Sequence, residues 1–145
     1  MGKPKRNILL SILGIVMITG IIGFYNFNKE APDVSHATAL QLSATDLYSS
    51  FSKDTVAAKR MHLQKVLEVY GEVTNLSQNQ QHQSIILLKT DTDGASINCT
   101  MEGSSQSIKK GDKISIKGIC NGMGQGDADL GIAPDVYLLR CYVAL

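Results

Sequence analysis

The sequence predicts a mainly β protein, in which a small antiparallel barrel follows an amphipathic helix and an N-terminal transmembrane helix. Three observations predict this fold class. Eighteen consecutive residues near the N-terminus, 8–25, carry no charge. A later stretch, 43–58, places apolar residues at helical spacing. From residue 65 to the C-terminus, five segments alternate or cluster apolar residues as β-strands do.

Composition and charge limit the class of protein. The chain has 145 residues, of which 43% are apolar and 19% are charged, enough apolar residues for the core of one domain. From Glu30 onward, ten lysines and arginines stand against thirteen acidic residues, a net charge of −3. This balance excludes a strongly basic nucleic-acid domain. Three cysteines are too few for a disulfide-dense miniprotein.

The uncharged segment 8–25 predicts a transmembrane signal anchor. As a helix it spans about 27 Å, close to the ~30 Å hydrocarbon core of a bilayer. The preceding residues, 1–7, form a cytoplasmic tail with three basic side chains, so the positive-inside rule places the C-terminal domain outside the cytoplasm. The expected location is the cytoplasmic membrane, crossed once. The apolar run is longer than that of a cleaved signal peptide, so an uncleaved anchor is favoured and cleavage stays the alternative.

A tether and a helix follow the anchor. Residues 26–42 mix charge, proline and small residues without a period and predict a tether. Ser43 is the expected N-cap of a helix, with Asp46 in the capping-box position. Asp54 can divide this helix into two short ones. The soluble domain is therefore predicted to cover 43–145. The apolar positions of the helix are Leu47, Phe51 and Ala58.

Five strands are predicted after the helix. They cover residues 65–76, 84–90, 95–102, 112–120 and 136–145. Gly71, in the middle of the first, indicates a bulge or sharp bend. In the last, Tyr137, Leu139 and Cys141 are expected to face the interior. Five strands after a helix fit a five-stranded OB-fold-like antiparallel barrel, while an SH3-like barrel or a sandwich stays open.

Several motifs resemble a known family. The helix ends in Ala57 and Ala58, and a K-x-x-x-V-x-G-x-V strand begins at Lys65. A glycine- and cysteine-containing strand follows at 110–122, and the terminal strand ends around Cys141. On these residues the sequence resembles the tRNA-anti-like OB-fold family of bacterial envelope proteins. The resemblance implies an OB-fold with no established substrate. The chain departs from the family pattern at Tyr70, where threonine is more usual, and in the loop 123–134.

The cysteines and histidines are the candidate chemical groups of the sequence. Cys99, Cys120 and Cys141 all fall on the inward phase of their strands. An extracytoplasmic compartment permits a disulfide. Cys120–Cys141 is the candidate bridge, with a different bridge or three reduced core thiols left open. The sequence has no CxxC motif, and its three histidines lie in different predicted elements, so neither a metal nor a cofactor is predicted. Without a G-x-S-x-G motif, no enzyme is predicted.

The candidate binding patch combines four lysines with one aromatic side chain. Its members are Lys109, Lys110, Lys113, Lys117 and Tyr70. The sequence thus predicts a membrane-anchored, extracytoplasmic OB-fold binding or interaction module without catalytic activity, whose partner is an envelope protein or a small ligand. Nucleic acid is disfavoured, because the domain is net negative. The alternative is an oligosaccharide- or single-stranded nucleic-acid-binding domain that uses the second and third strands. An aromatic-lined cleft would favour this alternative, and a smooth apolar patch would favour protein binding.

Overall fold

The computed structural model describes residues 14, 17–18, 20–21, 33–103, 105 and 107–144. The chain divides into two compact units, Met1–Asp33 and Val34–Leu145. Five residues of the predicted span 8–25 are described, and all five are helical. The rest of that span, the predicted tail 1–7 and residues 26–32 of the predicted tether lie outside the described residues. Among those that are described, no helix is long and apolar enough to cross a membrane.

Among the described residues of the second unit, eight elements follow one another. They are β1 (Leu40–Ser43), α1 (Ala44–Lys53), α2 (Thr55–His62), β2 (Val66–Gln78), β3 (Ser84–Lys89), β4 (Ser96–Met101), β5 (Lys113–Met123) and β6 (Val136–Val143). The five predicted strands correspond to β2 through β6. The single predicted helix is two helices, divided at Asp54 as its sequence position indicated.

The last five strands close into a barrel. β2 pairs antiparallel with β3, β3 with β4, and β6 with β5, while β4 and β6 run parallel. The N-terminal part of β2 also pairs with β5, which returns the sheet to its first strand. A five-stranded barrel with this order of strands is the OB-fold topology, and the predicted barrel is confirmed. Closure leaves few unpaired strand edges.

Capping side chains begin both helices. The Ser43 hydroxyl accepts a hydrogen bond from the Asp46 N–H at 2.9 Å, as predicted. Asp54 ends α1 and starts α2, because its carboxylate accepts from the Ala57 N–H at 2.9 Å. The helices thereby bring Leu47 and Phe51, both fully buried, into the core. Burying a side chain of this size contributes about 1.5–3 kcal/mol.

The inward residues of β2, β4 and β5 follow the predicted alternation, but those of β6 do not. Tyr137 and Leu139 are the more exposed residues of β6, while Leu138 and Cys141 are fully buried. The prediction that Tyr137 and Leu139 face the interior is therefore wrong. Cys99 lies opposite Leu138, and Met101 lies opposite Cys141, so β4 advances by two residues where β6 advances by three. The extra residue in β6 makes a β-bulge. Arg140, inside the bulge, has φ +54°. The extra residue restores Cys141 to the inward face.

The compact domain begins earlier than the sequence predicted. Val34 is 1% exposed, and Leu40–Ser43 forms β1, parallel to β2 with Leu40 opposite Leu67. The predicted tether 26–42 is thus wrong in its C-terminal part. β1 pairs with the half of β2 that β3 does not reach. Its residues form a strand because they pair with a segment that lies far away in the sequence. β1 has only four residues, of which the first two are exposed and the last two are half-buried. The segment therefore lacks the alternation that would predict a strand from the sequence.

Protonation of His62 is expected to destabilise the fold. His62 is 6% exposed at the end of α2, with its ring 6.1 Å from that of Phe51. Burial, and then the charge of Lys65, lower the pKa of His62. In the unfolded chain histidine protonates near its ordinary pKa of about 6.5, so this contribution to stability is complete above that pH and is lost below it.

We therefore expect the urea midpoint of the full chain in detergent to fall between pH 7.5 and pH 5.5. The variant His62→Gln should show a flatter pH dependence over the same range, because glutamine does not titrate. An equally steep dependence in this variant would show that another group is responsible.

Candidate functional site

A surface cavity of about 610 Å³ lies where α1 begins and where β2, β3 and β5 approach one another. A volume of this size lies within the usual range of ligand pockets, about 300–1,000 Å³. Its polar and aromatic lining residues are Ser43, Thr45, Tyr70, Glu72, Lys89, Thr90, Asp91, Lys113 and Ser115, and its apolar lining includes Ala44, Gly71 and Ile114. We call it the Tyr70 cavity.

The cavity forms where β2 changes partner. Residues up to Glu72 pair with β5, and residues from Val73 onward pair with β3. Gly71 stands at this change, and a Cβ atom there would lie 3.1 Å from the Ala44 Cβ and 3.3 Å from the Leu88 Cβ. A side chain at position 71 would therefore push α1 and β3 away from β2. Glycine lets three elements meet around one wall of the cavity.

Tyr70 presents a half-exposed aromatic ring in the cavity. It is 54% exposed on the outward face of β2. Its neighbours across the strands are Ser43 on β1 and Ser115 on β5. Both are small and carry hydroxyl groups, so large side chains do not flank the ring within the sheet. An exposed aromatic side chain on a strand can stack against a flat or ring-shaped ligand.

Opposite charges balance around this ring. Lys113 on β5 lies directly opposite Glu72 on β2. Lys89 and Asp91 contribute a second amine and a second carboxylate from the end of β3. The cavity thus offers ammonium donors and carboxylate acceptors in equal number. This arrangement suits a polar ligand that carries many hydrogen-bonding groups and little net charge.

The structure divides the predicted binding patch. Tyr70 and Lys113 line the cavity together. Lys117 serves another purpose, because its Nζ donates to the Ala37 carbonyl at 3.1 Å and the Ser35 carbonyl at 3.4 Å. Lys109 and Lys110 lie in the turn before β5, outside the cavity lining. Lys89 and Asp91 were missed, because nothing in the sequence relates the end of β3 to Tyr70.

The outward face of β3 and β4 is the other candidate surface. Ile85 lies opposite Thr100, and Leu87 lies opposite Asn98. Neither strand carries an aromatic residue. Tyr137, beside Asn98 on β6, lies against the loop backbone: a Cβ atom on Gly124 would stand 2.7 Å from its ring. This face therefore lacks an aromatic platform comparable to Tyr70.

The acidic residues of the loop after β5 form a turn. Asp127 accepts hydrogen bonds from the N–H groups of Asp129 and Leu130, at 3.0 and 3.1 Å. Such bonds are those of an Asx turn. Across the part of the chain that the structure describes, no group of three histidine, cysteine, aspartate or glutamate side chains is placed to hold a metal ion.

All three cysteines are free thiols and fully buried, on the predicted inward faces. Burial raises the pKa of the Cys99 and Cys120 thiols. Cys99 on β4 and Cys120 on β5 both lie opposite Leu138 of β6, and Cys141 lies opposite Met101 of β4. The candidate bridge Cys120–Cys141 is not present in the structure.

Comparison with known proteins identifies the family. The family model tRNA_anti-like matches residues 1–130, so the chain belongs to the tRNA_anti-like family and the predicted resemblance is confirmed. Among solved structures, the chain is similar to a "putative nucleic acid-binding lipoprotein" from Klebsiella pneumoniae, with 15% identity and a TM-score of 0.53. That match covers 80% of this chain and 100% of the other, and it shows a shared fold.

A weaker similarity is to a "putative aspartyl-tRNA synthetase" from Leishmania major. It has 8% identity and a TM-score of 0.45, and covers 86% of this chain and 26% of the other. No curated protein matches the sequence. The family and the shared topology therefore define this protein as an OB-like binding fold.

Lys117 is expected to hold the chain that enters the domain. We predict that Lys117→Met makes the backbone amides of residues 35–43 exchange with deuterium about tenfold faster, because two hydrogen bonds from a charged donor are lost. Lys113→Met, four residues earlier on the same outward face of β5, is the matched control and should leave that segment unchanged. Equal protection in the Lys117→Met variant and the native chain would contradict this role.

Proposed function

We propose that this protein is a membrane-anchored, extracytoplasmic binding module whose OB-fold domain binds an oligosaccharide in the Tyr70 cavity. The observation that carries the proposal is the cavity itself, about 610 Å³, with the half-exposed Tyr70 ring on its wall. An aromatic-lined cleft favours a ring-bearing ligand over a flat protein interface. OB-folds bind both oligosaccharides and oligonucleotides.

The chemistry of the lining supports a saccharide. A sugar ring has an apolar C–H face that packs on an aromatic plane, and hydroxyl groups on its rim that both donate and accept. Tyr70 supplies the plane, Glu72 and Asp91 accept, and Lys89 and Lys113 donate. Because the two signs of charge balance, an uncharged ligand meets no electrostatic penalty.

Single-stranded nucleic acid is the second candidate ligand. Lys89 and Lys113 line the cavity together with Tyr70, and a basic groove with an aromatic stacking platform is typical of single-strand binders. The name of the Klebsiella pneumoniae neighbour points the same way. The carboxylates of Glu72 and Asp91 repel phosphate from the same cavity, which places this candidate second.

The membrane anchor rests on the N-terminal sequence. Residues 8–25 are uncharged and follow three basic residues, and the compact domain begins only at Val34. An anchored domain of this kind belongs to the cell envelope.

We expect alkaline phosphatase fused after residue 145 of the full chain to be active in cells. A β-galactosidase fused at the same position should be inactive, because translocation prevents its folding. The opposite pattern would place the domain in the cytoplasm and overturn the proposed location. Deletion of residues 8–25 is the control, and it should reverse both activities.

Tyr70 is expected to carry most of the ligand affinity. Full-length protein in detergent would be titrated by calorimetry with chitotetraose, cellotetraose, maltotetraose and the oligonucleotide dT10. We predict that one of the tetrasaccharides binds. Tyr70→Ala should weaken that binding by roughly 10-fold to 100-fold, because stacking on an aromatic ring contributes about 1–3 kcal/mol. Tyr70→Phe keeps the ring and should retain most of the affinity.

Salt separates the two candidate ligands. Binding of an uncharged tetrasaccharide should change little between 50 and 200 mM NaCl. Binding of dT10 should fall steeply over this range, because counterions are released from the phosphates. Binding of dT10 alone, with this salt dependence and with loss in Lys113→Met, would replace the saccharide proposal with the nucleic-acid one. Binding that is equal in native protein and Tyr70→Ala would exclude the Tyr70 cavity as the site.

A further inference from the structure

The outer face of α2 carries exposed apolar side chains. Val56 is 63% exposed, Met61 is 52% exposed, and Leu63, which ends the helix, is 37% exposed. The opposite face packs inward through Ala58 and His62, which lie one helical turn apart. Single apolar residues are ordinary on a protein surface, but three on one short helix form a patch that calls for a partner.

Basic side chains accompany these apolar residues. Between positions 53 and 65 the only acidic residue is Asp54. The basic residues of the same segment, all of them exposed, are Lys53, Lys59, Arg60 and Lys65. Four cations against one carboxylate give this segment a net charge of +3, whereas the chain from position 30 onward has a net charge of −3. Positive charge is therefore concentrated on and around α2.

The fold does not use these positive charges. The Asp54 carboxylate accepts from the Ala57 N–H, as the cap of the helix. Among the described residues, none of the four basic side chains is hydrogen-bonded to or ion-paired with another side chain. Cations in the last turn of a helix offset its dipole, but that role requires no apolar neighbours. The four cations are thus available to an anionic partner.

The apolar and the basic side chains share one face of the helix. Val56, Lys59 and Arg60 are three and four positions apart, and Leu63 follows at the same spacing. A helix of this composition is typical of those that lie in a membrane interface, where apolar side chains enter between the headgroups and long basic side chains reach the phosphates. We propose that this face, the α2 surface, docks on a bilayer that contains anionic phospholipid.

Charge distinguishes the α2 surface from another exposed apolar pair. Leu130 and Ile132, in the loop after β5, are also exposed, but Asp127 and Asp129 accompany them in the sequence. Anionic headgroups repel carboxylates, so this loop does not suit the same partner. Nucleic acid would be attracted to the cations of α2, but this helix has no tyrosine, phenylalanine or tryptophan on which a base could stack.

The α2 surface is separate from the Tyr70 cavity. The cavity lies at the beginning of α1, and α2 follows the other end of that helix. The ten residues of α1 span about 15 Å. Docking on a bilayer and binding of a ligand in the cavity are therefore compatible. The proposal rests on the charge and exposure of α2 itself, and it goes beyond the function proposed above.

A single tryptophan can report the docking, because the chain has none of its own. Full-length Val56→Trp would be reconstituted into vesicles of phosphatidylcholine alone and into vesicles that also contain one-third phosphatidylglycerol. With phosphatidylglycerol, its emission should shift to shorter wavelength and be quenched by brominated acyl chains, because the side chain enters the interface. Identical spectra in the two kinds of vesicle would overturn the proposal.

A second tryptophan variant tests whether the response belongs to α2. Gln80 is exposed in the loop between β2 and β3, and the thirteen residues of β2 separate this loop from α2. Gln80→Trp should give the same spectrum in both kinds of vesicle. A shift as large as that of Val56→Trp would show adsorption without a preferred face and would contradict the assignment.

Charge variants in the Val56→Trp background identify the cations. Lys59→Gln combined with Arg60→Gln should lower the ratio of docked to undocked protein by roughly 30-fold, as expected for the loss of two basic side chains near an anionic surface. Lys109→Gln combined with Lys110→Gln removes the same charge from the turn before β5 and should keep the shift. An equal loss in both double variants would overturn the role of α2.

Salt and a second anion separate the remaining outcomes. Raising NaCl from 0.1 M to 1 M should reverse the shift, because salt screens exposed charges. A shift with the oligonucleotide dT10 but none with phosphatidylglycerol would assign the surface to nucleic acid and overturn the proposal. Retention of the chain in vesicles of phosphatidylcholine alone reports the anchor, so loss of docking and loss of anchoring are distinguished.

Discussion

The barrel depends on one long strand that pairs with two partners. β2 has thirteen residues, and its first half pairs with β5 while its second half pairs with β3. Without the β2–β5 pairing the sheet would be open, with β1 and β5 as its edge strands. Strand β1 and the start of α1 occupy the side of β2 that becomes free where β3 ends. The position of the N-terminal elements therefore follows from barrel closure.

The candidate site is a consequence of the same constraint. Where β2 changes partner, the ends of β3 and β5 and the beginning of α1 meet without covering the outward face of the strand. Tyr70 stands on that face and stays 54% exposed. Lys89, Asp91, Glu72 and Lys113 come together only because the two pairings bring their strands to the same place. A cavity at a strand bend thus combines residues from four separate parts of the chain.

Irregular backbone in β6 adjusts the interior. The bulge around Arg140 places both Leu138 and Cys141 inward, and the Arg140 Nε donates to the Glu102 carboxylate at 2.8 Å on the outside. That hydrogen bond, with the nearby charge, lowers the pKa of Glu102. One extra residue therefore serves the core and the surface together.

The sequence by itself determined the five barrel strands, the N-cap at Ser43, the division of the helix at Asp54, and the inward faces of β2, β4 and β5, because these depend on local periodicity and local hydrogen bonds. Tyr70 and Lys113 were also recognised as candidate site residues from the sequence. Only the tertiary structure decided the existence of β1 and the facing of Tyr137 in β6. These depend on register between distant strands, and a single inserted residue reverses every inward and outward assignment beyond it.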